Sequence, residues 1–288
     1  MTESLPTPLV STGWLAAHLA EPGLVVVDAS WYLAAMQRDP RAEYLAGHIP
    51  GAVFWDIDAL SDQHTPLPHM LPEAGILARQ IGALGIGDRA RVVVYDGSGV
   101  NLSAPRVWWT FRVMGHAAAA VLDGGLSRWK AEGRVLEAGQ AQRPAVRFSG
   151  RFRPELVKSL AEVGDAVRAR DWQLLDARSR GRFEGSEPEP RPGLRGGHIP
   201  GAKSLPFTEL VDARGLLLPH DALRERYRAA GVDPARPTIV SCGSGVTACA
   251  LALGLELLGA TEYAVYDGSW SEWGKEAGPP LETGAPRS

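Results

Sequence analysis

Residues 237–248 read PTIVSCGSGVTA, and residues 249–259 continue as CALALGLELLG. A run suited to a strand meets a cysteine, a Gly-Ser-Gly loop follows, and a helical apolar stretch takes over. Residues 92–100, VVVYDGSGV, repeat the phrase with Asp96 where Cys242 stands. The likeness extends outward from this pair. GHIPGA occurs at 47–52 and 197–202, VVVDAS (25–30) answers QLLDAR (173–178), and VLDGGLSRW (121–129) answers VYDGSWSEW (265–273). The four matches keep their order in a slowly drifting register, which identifies a tandem duplication rather than a solenoid. Within each copy, short apolar runs (23–28, 52–56, 91–96 and 118–122; then near 172–176, 202–206, 237–241 and 262–266) alternate with helical patterning. That alternation predicts two α/β domains, each a mostly parallel sheet with helices on both faces. The expected boundaries are 1–136 for the first domain, 137–156 for a Gly-, Pro- and Arg-rich linker, and 157–288 for the second.

Composition excludes several classes of function. The chain of 288 residues is 45% hydrophobic and 22% charged, with a net charge of −3 and no block of like charge. Nucleic acid and anionic membrane surfaces are therefore not expected partners. No apolar run approaches the ~20 residues of a membrane helix. The N-terminus lacks the basic start of a signal peptide, so a cytoplasmic location is the expectation. Two cysteines, Cys242 and Cys249, make neither a disulfide framework nor, with scattered histidines, a zinc site.

What both copies share belongs to the fold, and what one lacks points to chemistry. His48 and His198, and likewise Asp28 and Asp176, recur in both and read as structural. Asp96 against Cys242 is the main difference. Cys242 lies beyond the carboxyl end of a strand, where open α/β sheets bind ligands. Gly243 and Gly245 permit positive φ, so the loop N–H groups can form an anion-binding nest ahead of a helix N-terminus. Such a setting favours the thiolate. Cys249 falls on the apolar face of the following helix and reads as core. A cysteine-dependent phosphatase would need an arginine six residues after the nucleophile, to grip phosphate bidentately. That position is Ala248.

The duplication, the paired GHIPGA, the linker and the CGSGVTA loop resemble the tandem rhodanese-domain sulfurtransferases over nearly the whole chain, and the loop resembles the branch that acts on 3-mercaptopyruvate. The resemblance implies a silent first domain and a catalytic second one. Thiosulfate-using members tend to carry basic residues after the cysteine, where this chain has Gly243 and Ser244. By the resemblance, Arg182 and Arg191 hold the donor's carboxylate and keto group, as guanidinium forks can. Surface pairing with Glu184, Glu187 and Glu189 is the structural alternative. Arg41 occupies the register of Arg191 in the silent half, whereas Arg182 falls opposite Ala34, leaving that half without a counterpart.

The resemblance also implies a proton relay of Ser244, His69 and Asp58, and substrate contacts from Gly243, Ser244, Gly245, Val246 and Thr247. The implied reaction is ping-pong sulfur transfer through a Cys242 persulfide to a thiol such as reduced thioredoxin, or to cyanide, without metal or organic cofactor. Two alternatives stay open: a thiosulfate:cyanide sulfurtransferase, and a non-catalytic persulfide carrier or regulatory binding module. The C-terminal segment GPPLETGAPRS is expected to be loosely held.

Overall fold

A computed structural model describes Leu5 and residues 8–286. The chain forms two compact units. In the first, β1 (Leu9–Val10), β2 (Leu24–Asp28), β3 (Val53–Phe54), β4 (Arg91–Tyr95) and β5 (Ala119–Leu122) make a sheet in the order β1-β5-β4-β2-β3. In the second, β6 (Val157–Lys158), β7 (Gln173–Asp176), β8 (Lys203–Ser204), β9 (Thr238–Ser241) and β10 (Tyr263–Tyr266) repeat it as β6-β10-β9-β7-β8. Every pairing is parallel. Consecutive residues of a strand face opposite sides of its sheet, yet Val92 to Tyr95 are all fully buried. Both faces are therefore covered, which is why the strands are apolar runs rather than alternating ones.

The helices of the first unit are α1 (Thr12–His18), α2 (Pro40–Ala46), α3 (Ala74–Ala83), α4 (Ala104–Val113) and α5 (Gly125–Ala131). Those of the second are α6 (Leu160–Ala169), α7 (Arg180–Glu184), α8 (His220–Ala229), α9 (Ala248–Leu257) and α10 (Ser269–Trp273). Local chemistry sets their starts. The Asp39 carboxylate accepts from the Ala42 N–H, with Pro40 at the first helical position of α2. Ser159 and Glu162 form a capping box on α6. Helix α9 is buried on nearly every side, so its sequence carries almost no polar face. The edge strands β1 and β6 are two residues long, too short to leave a periodic signal in the sequence.

Two segments cross the sequence boundary. The first unit includes residues 211–217, and the second includes residues 64–70. The chain between the halves is also well tied down. His48 and Glu137 exchange backbone hydrogen bonds of 2.9 Å, the Val146 N–H donates to the Gly82 carbonyl at 2.9 Å, and Phe148 is buried. The C-terminal segment repeats the first of these contacts, which corrects the expectation of a loose end. His198 and Glu282 exchange bonds of 2.8 and 2.9 Å, and the Gly284 N–H donates to the Glu184 carbonyl. Arg287 and Ser288 lie outside the described residues. The histidines of both GHIP stretches are structural: His48 stacks on Tyr44, His198 stacks on Phe183, and each ring bonds the carbonyl of the residue it stacks on.

Candidate active site

Cys242 follows β9 and is 1% exposed, at the floor of its loop. The Cys242 carbonyl accepts from the Trp270 N–H, and the Gly243 carbonyl from the Ser271 N–H and hydroxyl. The carbonyls are thus engaged by the start of α10. Ser269 does the complementary work. Its hydroxyl donates to the Tyr266 carbonyl and accepts the N–H groups of Cys242 (3.2 Å) and Gly245 (3.1 Å). It manages this in a left-handed conformation, φ 47°, that a serine adopts only when its surroundings hold it there. Sequence reasoning missed Ser269, although the signal was present: Gly125 holds its place in the other copy. Among the described residues, no protein acceptor meets the N–H groups of Gly243, Ser244, Val246 or Thr247. The two glycines differ in use. Gly245 takes positive φ, 75°, as expected. Gly243 does not; it is small because a Cβ there would lie 2.9 Å from Arg182 Nη2.

Arg182, on α7, therefore sits over the loop. Its Nη2 donates to Glu189 Oε2 at 2.6 Å, and Glu189 Oε1 accepts from Arg178 Nη1 at 2.7 Å. Arg178 grips both oxygens of Asp176 and lies over the Trp270 ring, its guanidinium carbon 4.2 Å from the centroid. Arg178 and Glu189 are nearly inaccessible, whereas the Arg182 side chain is 18% exposed. The ion-pair chain Asp176–Arg178–Glu189–Arg182 thus runs from a strand end to an arginine at the surface of the loop. Pairing with Glu189, read from sequence as a surface alternative, is instead a buried brace that leaves Nη1 of Arg182 without a protein partner. Asp176 acquires a second role as the root of that brace. Arg191 is half-buried in the same stretch, two residues after Glu189.

His69 belongs to the second unit through residues 64–70. Its Nδ1 and the Ser244 hydroxyl share a hydrogen bond of 2.9 Å, and both side chains are buried. His69 also takes positive φ, 61°. Asp58 belongs to the first unit, where its carboxylate accepts from Trp31 Nε1 at 3.1 Å. Cys249 is fully buried in α9 and its thiol donates to the Gly245 carbonyl, in keeping with packing.

The other copy of the loop shows what such a loop holds. The Asp96 carboxylate accepts from the N–H groups of Ser98 (2.9 Å), Ser103 (2.9 Å) and Ala104 (2.8 Å). It is an anion supplied by the chain itself, seated against the start of α4. Their counterparts include Ser244 and Thr247, whose N–H groups stand open. The first copy's loop is also two residues longer, 97–103 against 243–247. It does have a guanidinium, which corrects the expectation drawn from Ala34. Arg38 Nη2 donates to the Gly97 carbonyl at 3.1 Å and is pinned by Glu43 and Tyr32. Sequence register missed it because a long side chain starting four residues later reaches the same place. Residues 211–217 close this loop from outside: a Cβ on Gly215 would lie 1.9 Å from the Gly99 carbonyl oxygen, and the Leu217 N–H donates to Asp123.

The profile of the rhodanese-like domain matches residues 11–132 and again 159–276. The chain belongs to the rhodanese family. Among its relatives, the 3-mercaptopyruvate sulfurtransferase of Homo sapiens is 44% identical over 94% of this chain and 93% of its own length. The mitochondrial thiosulfate/3-mercaptopyruvate sulfurtransferase 1 of Arabidopsis thaliana is 44% identical over 98% of this chain and 80% of its own. The crystal structure of the 3-mercaptopyruvate sulfurtransferase SseA of Escherichia coli matches with a TM-score of 0.84 at 42% identity, over 92% of this chain and all of that one. Both rhodanese units thus carry the loop, and they differ in what fills it.

Proposed function

We propose that this rhodanese-family protein is a sulfurtransferase that moves the sulfane sulfur of 3-mercaptopyruvate, through a persulfide on Cys242, to a thiol acceptor. The observation that carries the reading is the contrast between the loops. One is filled by its own carboxylate; the other keeps its N–H donors open around a buried thiol. The names of the human and E. coli relatives support the donor. In the proposed reaction the Cys242 thiolate attacks the donor's sulfur and the C–S bond breaks. The enolate of pyruvate takes up a proton and leaves. The outer sulfur, as an anion, occupies the loop as the Asp96 carboxylate occupies its counterpart. Attack on that sulfur by an acceptor thiolate, such as that of reduced thioredoxin, forms the acceptor's persulfide and restores Cys242; cyanide gives thiocyanate.

Arg182 is assigned to the donor's carboxylate, supported by its place over Gly243 and by the brace that fixes its other edge. Arg191 completes the clamp in this reading. The Ser244–His69 hydrogen bond supports a proton relay, with Asp58 as its third member. The first domain, 1–136, is catalytically silent in this proposal, and the second, 157–288, is catalytic. Two cysteines, neither of them in a disulfide, suit a reducing compartment, which supports a cytoplasmic location. Among the described residues no helix is long and apolar enough to cross a membrane. Thiosulfate is a secondary donor through the same persulfide, a reading favoured by the double name of the Arabidopsis relative. Incubation with 3-mercaptopyruvate is expected to release pyruvate and to add one sulfur atom to the peptide containing Cys242. Release of pyruvate with the sulfur found elsewhere, or faster turnover with thiosulfate, would count against this assignment.

A further inference from the structure

Glu189 is a carboxylate taken almost wholly out of water. Its side chain is 2% exposed, and it stands between Pro188 and Pro190, which restrict the backbone on either side. The residues before it fold back on α7: the N–H groups of Ser186 and Glu187 donate to the Gly181 carbonyl, and the Ser179 hydroxyl donates to Glu187. Both Glu189 oxygens are engaged. Oε1 accepts from Arg178 Nη1 (2.7 Å) and Arg182 Nε (3.3 Å), and Oε2 accepts from Arg182 Nη2 (2.6 Å). Arg178 is itself fully inaccessible, and its Nη2 donates to Asp176 and to the Gly197 carbonyl. A brace serving stability alone would not need charges, since well-packed apolar groups of similar size do as well without the desolvation.

The first unit is built otherwise. Ser30 stands there in the place of Arg178, each donating its N–H to the aspartate two residues before. The Arg38–Glu43 pair lies at the surface, 32% and 38% exposed, and Glu43 is shared with the Tyr32 hydroxyl. The unit that carries Cys242 puts a second arginine behind the carboxylate; the other does not. The side-on grip on Nε and Nη2 fixes the plane of Arg182 and presents Nη1. The chain Asp176–Arg178–Glu189–Arg182 also sums to zero charge, and Gly243, Ser244, Val246 and Thr247 add none. Arg182 therefore offers a short, directed hydrogen bond with little positive field beyond it. A carboxylate that touches Nη1 gains all of such a bond. A compact dianion, with its charge at the transferred sulfur, gains little.

We propose that Glu189 sets the choice of sulfur donor: a positioning residue that orients Arg182 and cancels its charge, so that one remote carboxylate is favoured over a compact dianion. This rests on the sulfur-transfer reading above. The test is kcat/KM for 3-mercaptopyruvate and for thiosulfate, at saturating cyanide, in wild type and Glu189→Gln. With 3-mercaptopyruvate it is expected to fall about 10-fold or more, the equivalent of one charged hydrogen bond, while with thiosulfate it does not fall. In an Arg182→Leu background, Glu189→Gln is expected to leave the ratio of the two donors unchanged, because Glu189 acts through Arg182. Glu189→Asp keeps a counter-charge for Arg178, and hence the fold, but is one methylene short of the grip; it is expected to shift the ratio the same way. Calorimetric binding of pyruvate and of thiosulfate by Cys242→Ser, with and without Glu189→Gln, reads the same selectivity without turnover. A wild type that releases no pyruvate from the donor thus refutes sulfur transfer separately from this role of Glu189. Equal losses with both donors, an unchanged ratio in both variants, or a full shift in the Arg182→Leu background overturns the proposal. So does pyruvate binding that Glu189→Gln leaves intact, or no pyruvate binding at millimolar concentration.

Discussion

Replacing Arg182 by leucine separates clamp from scaffold. The guanidinium is tied to Glu189 by Nε (3.3 Å) and Nη2 (2.6 Å), which leaves Nη1 for a carboxylate of the donor. A hydrogen bond to a charged group contributes about 1.5–3 kcal/mol, so kcat/KM with 3-mercaptopyruvate is expected to fall about 10- to 150-fold. The fold is expected to survive, because Glu189 keeps its bond to Arg178 and is not left as an unpaired buried charge. Arg182→Lys retains the charge but loses the fork, and is expected to fall between wild type and leucine. The assay is pyruvate release with 3-mercaptopyruvate and thiocyanate release with thiosulfate, both at saturating cyanide. Thiosulfate has no carboxylate remote from its sulfur, so its turnover is expected to suffer much less. If the clamp only binds, the loss lies in KM; if it also aligns the sulfur with Cys242, kcat falls too. Equal losses with both donors would refute a carboxylate clamp.

Cys242→Ser is expected to abolish turnover, whereas Cys249→Ala is expected to cost stability and spare most activity; equal inactivity of the two would reverse their roles. Asp96→Cys in a Cys242→Ser background is expected to stay inactive, because the loop is longer, Arg38 is spent on the Gly97 carbonyl and residues 211–217 close the entrance. Sulfur transfer by that double variant would show that loop and thiol suffice. Burial holds the pKa of His116 below the usual value of about 6.5. The unfolded chain then binds a proton that the folded chain does not, so this contribution is complete above about pH 6.5 and is lost as pH falls below it. Buried Asp28 and Asp123 are shifted upward and act in the opposite sense, so the comparison is made against His116→Gln. The melting-temperature gap between wild type and that variant is expected to narrow from pH 7.5 to pH 5.5; a constant gap would contradict the burial argument.

The fold was legible because it is written twice: GHIPGA and the paired glycine loops fix the register, and apolar runs between helical stretches fix the layers. The nucleophile was legible by subtraction, Asp96 against Cys242. What escaped shares a physical cause. Arg38 was hidden because side-chain reach is not register. Ser269 was hidden because its work is done through backbone N–H groups 24 and 27 residues away along the chain. The brace of Arg178 and Glu189 looked like a charged surface loop, since a local charge pattern does not say which pairs are buried. Residues 64–70 and 211–217 carry no sign in their own sequence of the unit in which they lie.

Those two short segments also constrain how the molecule can be made and how it can change. Synthesis runs from the N-terminus, so the first unit is complete only once residue 217 has emerged, several seconds after residue 153 at ~5–20 residues per second. Until then the ground around Gly99 waits uncovered, while the strip bearing His69 already exists for a unit not yet born. Neither copy is thus self-sufficient. A recombination event that removed one would leave the survivor short of seven residues held on the discarded half, and a duplication of this kind has no simple route back to a single domain.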